Sequence, residues 1–185
     1  MLIKLSARIT RITNGRVALA CLVIFLAFTT IVLPAQSAKA SLYSGTAGSP
    51  DTTFFYTAGD LYKTAETYGQ AGRSEYIKAR FTFDLIWPLV YLAFLTTAIS
   101  WLYHRLDLDG ELWKRVNLVP IFGVLFDYLE NISTSIVMAR YPDLTPIIST
   151  LAPVFTFVKW LLMGCSFVLL MYGSVRVMWK LLKAK

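Results

Sequence analysis

The chain has 185 residues, of which 56% are apolar and only 16% are charged, where an ordinary soluble domain carries about 25% charged residues. The apolar residues gather into four blocks, three of them close to or above the roughly 20 residues that cross a bilayer core. This excludes a soluble enzyme, a disordered tail, a collagenous chain and a small disulfide scaffold, and the formal net charge of +7 reads as an orientation mark with no nucleic acid implied.

The first block, Val17 to Leu33, has no charge and follows Lys4, Arg8, Arg11 and Arg16. Ala38-Lys39-Ala40 has the form of a signal-peptidase site. The apolar run is nevertheless longer than the roughly 7–15 residues of a typical signal core. An uncleaved signal-anchor, spanning residues 17–34, is the preferred reading. Ser41 to Tyr56 holds Gly45, Gly48 and Pro50 and reads as a loop. Thr57 and Asp60 have capping-box spacing. Leu61, Tyr62, Ala65 and Tyr68 then recur at three and four, predicting a short amphipathic helix over 57–68 that Gly69 and Gly72 end. From Arg73 one long helix is expected, crossing the membrane over 81–103 with Pro88 inside it. His104 to Asn117 reads as a charged loop. The third span is placed at 118–138, Arg140 to Pro146 as a tight turn, and the fourth span at 147–175. The expected fold is therefore an all-α integral membrane protein, a four-transmembrane-helix bundle in a single membrane domain over 1–185, with an extracytoplasmic loop over 35–80.

Orientation follows from Lys and Arg. With the N-terminus inside, the inner segments hold Lys4, Arg8, Arg11, Arg16, Arg105, Lys114, Arg115, Arg176, Lys180, Lys183 and Lys185. The outer segments hold Lys39, Lys63, Arg73, Lys78, Arg80 and Arg140. Both termini are thus expected in the cytoplasm, and a bacterial inner membrane is the expected location. The expected partners are the lipid bilayer and another membrane protein or a second copy of the chain. Cys21 and Cys165 both fall inside spans, so no disulfide framework is implied. The single histidine, His104, belongs to no cluster with metal-ligand spacing, and no phosphate-binding or nucleophile motif occurs, so no metal or cofactor is expected.

The informative residues are charges placed where hydrocarbon is expected. Each costs about 2.5–3.5 kcal/mol at the bilayer centre on insertion scales, so such residues face the bundle interior and find partners. In the third span Pro120, Gly123, Asp127, Glu130, Asn131 and Thr134 fall within an arc of about 100°. The opposite face carries Leu118, Phe122, Leu125, Leu129, Ile132 and Ile136. In the second span Arg80, Asp84, Pro88 and Tyr91 share a side. An Arg80–Asp84 pair one turn apart satisfies Asp84 locally. In the fourth span Ala152, Thr156, Lys159, Met163, Ser166 and Gly173 form one stripe. At about 1.5 Å per residue, Glu130 and Lys159 lie level. A buried Glu130–Lys159 pair is predicted, with Asp127 as competitor. The expected polar layer comprises Asp84, Tyr91, Asp127, Glu130, Asn131 and Lys159, joined by Thr29. Helix 57–69 is expected to roof it.

Three functions suit such a layer. It clamps helix register in an accessory or assembly protein that works by contact. It relays protons or ions in a small carrier. Or it performs acid–base chemistry in an intramembrane enzyme acting on a lipid or isoprenoid. A clamp needs no cavity, a carrier needs a polar path from both sides, and an enzyme needs an apolar groove beside the acids. The accessory role is the first expectation from the residues alone.

Overall fold

The computed structural model describes residues 2–183 apart from 107, 109 and 111. Asp107, Asp109 and Glu111 of the charged loop, and the terminal Lys185 of the charge division, lie outside the described residues. The described chain is helical, in the order α1 (Leu2–Ile12), α2 (Gly15–Ala27), a π-helical stretch (Phe28–Val32), α3 (Leu33–Ser44), α4 (Ala58–Arg80), α5 (Phe83–Leu106), a 3-10 segment (Trp113–Leu118), α6 (Val119–Arg140) and α7 (Pro146–Lys183). Four helical stretches are long and apolar enough to cross a bilayer, a multi-pass pattern.

The first stretch is longer than the expected span. From Gly15 to Ser44 the chain is continuously helical, and Ser41 to Ser44, read as loop, belong to it. Two features carry the helix past Pro34. Thr29 and Thr30 turn their hydroxyls back onto Phe25 O and Leu26 O at 2.8 Å, and Leu33 N–H reaches Phe28 O, five residues back. This widened turn accommodates a proline ring that otherwise clashes with the preceding turn. The Ala-rich sequence that follows propagates the helix well.

The capping box at Thr57 and Asp60 starts α4. Gly69 is non-helical, with φ of 62°, and kinks α4 without ending it. Gly72 does not end it either. A Cβ there would lie 3.1 Å from Tyr68 Cβ and 3.2 Å from Tyr43 O, so this glycine is a point of close approach between α4 and the end of α3. The continuous helix expected from Arg73 onward is instead broken by a two-residue turn at Phe81 and Thr82. Pro88 lies inside α5 without ending it.

Helices α6 and α7 form the most extensive pair, as the short turn between them requires. They pack with α5, while α2 lies along α5 through Phe25, which stacks on Phe94 at 4.7 Å and Trp87 at 5.7 Å. At one end α4 covers α6. Leu61, Ala65 and Tyr76 are buried there with Val137, Met138 and Ala152. At the other end α1, unforeseen in the basic N-terminal stretch, docks on the 3-10 segment. Ser6 Oγ donates to Lys114 O and to Asn117 Oδ1, and Asn117 Nδ2 donates to Ser100 Oγ at 2.8 Å. Leu118, assigned to the lipid-facing side, is buried, because it belongs to the 3-10 segment and not to α6.

Candidate functional site

The inward arc of α6 is buried throughout, from Pro120 and Gly123 to Asp127, Glu130, Asn131 and Thr134. Phe122, Leu125 and Ile132 of the opposite face are exposed. The stripe of α7 meets this arc, with Ala152, Thr156, Lys159 and Ser166 buried. A 3.6-residue repeat on both antiparallel helices brings their polar residues to one seam.

Two linked clusters result. In the first, Lys159 Nζ forms an ion pair with Glu130 Oε2 and lies 3.5 Å from Asp127 Oδ1. Tyr91 of α5 donates its hydroxyl to Asp127 Oδ2 at 2.6 Å. Glu130 is fully buried, and Lys159 and Asp127 are 7% and 8% exposed, so each charge gains much of its compensation from the other two. In the second cluster Arg80 Nε meets Asp84 Oδ2 at 3.0 Å, and Arg80 Nη1 donates to Asn131 Oδ1 at 3.3 Å. The adjacency of Glu130 and Asn131 on α6 couples the clusters. All six expected layer residues therefore converge, but Thr29 does not join them, since its hydroxyl is spent on its own helix.

The roof differs from the expected one. Tyr62 of the first half of α4 reaches Ser149 Oγ at 3.2 Å and Thr145 Oγ1 at 3.3 Å, at the entrance of α7. The second half closes on the layer itself. Tyr76 donates to Thr134 Oγ1 at 3.1 Å, and its ring lies 4.5 Å from the Arg80 guanidinium carbon. Tyr56, from the segment before α4, meets Thr156 at 3.0 Å.

A cavity of about 360 Å³ descends to these charges. Its floor is Arg80, Asp84, Tyr91, Asp127 and Lys159, and its walls are largely apolar, including Phe25, Phe83, Trp87, Trp160, Met163 and Phe167. Gln36, Ser37, Ser49 and Thr52 form a polar rim. The cavity lies between α2–α3 on one side and α7 on the other. Among the described residues these make at most marginal contact, since α2 is packed on α5 and α3 on α4. The wall residues Trp160 and Phe167 are exposed on the same side. The cavity is thus a cleft between the first and fourth apolar helices. Trp87 and Trp160 were not singled out from sequence, because an aromatic residue in an apolar run carries no mark that separates a cleft wall from a lipid-facing side chain. Arg80 had such a mark, its spacing from Asp84, but was assigned only a local role.

No protein-family model, no curated protein and no solved structure matches this chain.

Proposed function

We propose that the chain is a multi-pass protein of a cell membrane, with both termini in the cytoplasm and α4 on the outer face, that binds a bilayer amphiphile in the cleft between α2–α3 and α7. One observation carries this reading: an apolar-walled cleft opens sideways between two helices long and apolar enough to cross a bilayer and ends on a buried charged layer. Cavities of a few hundred Å³ with apolar walls and a few convergent polar groups are the usual form of small-ligand sites. Here an acyl or isoprenoid tail lies against Phe25, Met163 and Phe167, and the head group enters past Gln36 and Ser37 toward Asp127.

The accessory role rests on the mutual pairing of Glu130 and Lys159, which a binding site also requires, so the cleft tips the balance. A carrier needs a polar path to the other face. The buried Phe94, Leu95, Ile99 and Leu102 of α5 occupy that route. Binding is proposed in place of turnover because the charged groups of the floor are already engaged with one another.

Photocrosslinking tests the proposal. A phospholipid with a diazirine near the end of its tail, incorporated with the full chain in nanodiscs, is expected to label residues 160–167 of α7 and 33–40 of α3 saturably. Leu33→Trp fills the cleft from one wall and is expected to reduce that labelling about tenfold, the equivalent of one lost favourable contact region of about 1.4 kcal/mol. Labelling spread evenly over all lipid-facing helices, and unchanged by Leu33→Trp, would overturn it.

A further inference from the structure

The charges of the cleft are unevenly placed, and their placement selects a head group. Two cations, Arg80 and Lys159, stand against three carboxylates, Asp84, Asp127 and Glu130, all of them buried. Counted formally, the buried cluster holds one carboxylate more than it has cations, and burying an uncompensated charge is costly. The excess is not shared equally. Arg80 is committed to Asp84 and Asn131. Lys159 sits on Glu130, which lies behind the floor and does not line the cleft. Asp127 does line the cleft, and its own contact with Lys159 is the longer one, at 3.5 Å. Its other carboxylate oxygen receives the neutral Tyr91 hydroxyl at 2.6 Å, which orients the group without cancelling its charge.

The walls have the same preference. Trp87, Trp160, Phe83, Tyr91 and Phe25 line the cleft. Trp87 meets Tyr91 edge to face at 5.8 Å, and the Lys159 ammonium lies 5.5 Å from the Trp160 ring centroid. Aromatic faces attract cations, most strongly where water is excluded. An anionic head group would have to take Lys159 from Glu130 or Arg80 from Asp84. A neutral one would leave the excess charge in place.

We infer that the cleft selects amphiphiles with a cationic head group, an amine or quaternary ammonium on an apolar tail, held by Asp127 against Trp87 and Trp160. This rests on the amphiphile-binding reading above and adds the chemistry of the head.

The experiment is a competition. The full chain in neutral maltoside micelles is labelled with the diazirine lipid, and three competitors with one tail are added: hexadecyltrimethylammonium, hexadecanol and hexadecyl sulfate. The chain as a whole carries +7, so long-range attraction favours the sulfate, and a preference for the ammonium is necessarily local. The ammonium is expected to displace the probe at about tenfold lower mole fraction than the alcohol, with the sulfate weakest. Asp127→Asn is expected to bring ammonium and alcohol within about twofold of each other, the ratio of the two being the readout, and Asp127→Glu to restore most of the difference. Equal or better displacement by alcohol or sulfate, or a preference that survives Asp127→Asn, would overturn the inference. Should Asp127→Asn fail to fold, the ranking in the unaltered chain decides, together with Trp160→Leu, which is expected to narrow the ammonium-to-alcohol ratio several-fold. Saturable displacement by none of the three would instead remove the cleft reading itself.

Discussion

Lys159 faces two carboxylates that are not equivalent, and this inequality makes the energetics of the pair testable. Removing Lys159 takes a cation from both Glu130 and Asp127, whereas removing Glu130 leaves Lys159 with Asp127 3.5 Å away. Loss of one partner of a buried pair typically costs about 3–5 kcal/mol. Lys159→Met is therefore expected at or above that range, and Glu130→Leu below it. The double variant is expected to recover part of the loss, because it removes a desolvated charge of each sign. Denaturant titration of the three variants in detergent checks the order. A double variant as unstable as the sum of the singles means that the two residues are not coupled. Tyr91→Phe removes one hydrogen bond to a carboxylate at 2.6 Å and is expected to cost about 1.5–3 kcal/mol in the same assay.

Helix ends and close crossings decide how the elements sit. At the start of α4, the Thr57 hydroxyl and backbone N–H both donate to Asp60 and hold its carboxyl below the usual carboxylate range. A carboxyl depressed in the folded state stabilises above its unfolded pKa, about 3.9, and that contribution disappears as the pH falls below it. Protection factors at residues 58–62, taken against the intrinsic exchange rate at each pH, are expected to fall on acidification from pH 5 toward about pH 3, and Asp60→Asn to reduce that fall. At the opposite end, α1 is held by the Ser6–Asn117–Ser100 chain of hydrogen bonds. Asn117→Leu is expected to raise exchange across residues 2–12 while leaving α6 and α7 protected. Where α5 crosses α7, a Cβ on Gly173 would lie 2.9 Å from the Tyr103 ring. Gly173→Ala is expected to destabilise that crossing by about 1–3 kcal/mol, as overpacking does, measured as a shift in the unfolding midpoint.

At the scale of the whole molecule, the charged layer lies between two different surroundings. Toward α4 it meets hydroxyls and a polar rim, and toward α1 it meets the apolar block of α5. Among the described residues this asymmetry matches the one cleft that reaches the layer, which is rimmed by polar residues of α3 and of the segment before α4. In the proposed topology, read from the division of Lys and Arg, the α4 face is the outer one. A reporter fused after the last residue is expected to behave as cytoplasmic, and one inserted in the 45–56 segment as extracytoplasmic. The reverse result would invert the proposed topology while leaving the cleft itself unchanged.

The apolar blocks, their lengths and the polar arc on α6 were legible in the chain, because bilayer thickness fixes a length and the helical repeat fixes a face. The Glu130–Lys159 pair was legible for the same reason. A short turn makes α6 and α7 antiparallel neighbours, and residue counting then sets their depth. Three things were decided only by tertiary structure. Ser41 to Ser44 are helical because a widened turn admits Pro34, and the spacing of residues does not announce such a turn. Gly72 marks a crossing and not an ending, since the same residue type serves both and only the neighbour at Tyr43 separates them. The cleft depends on α2 packing on α5 and α3 on α4, which among the described residues leaves α7 in at most marginal contact with α2–α3. Which helix pairs with which is settled by side-chain fit summed over whole faces, and for the largely apolar faces of α2 and α5 no local pattern encodes it.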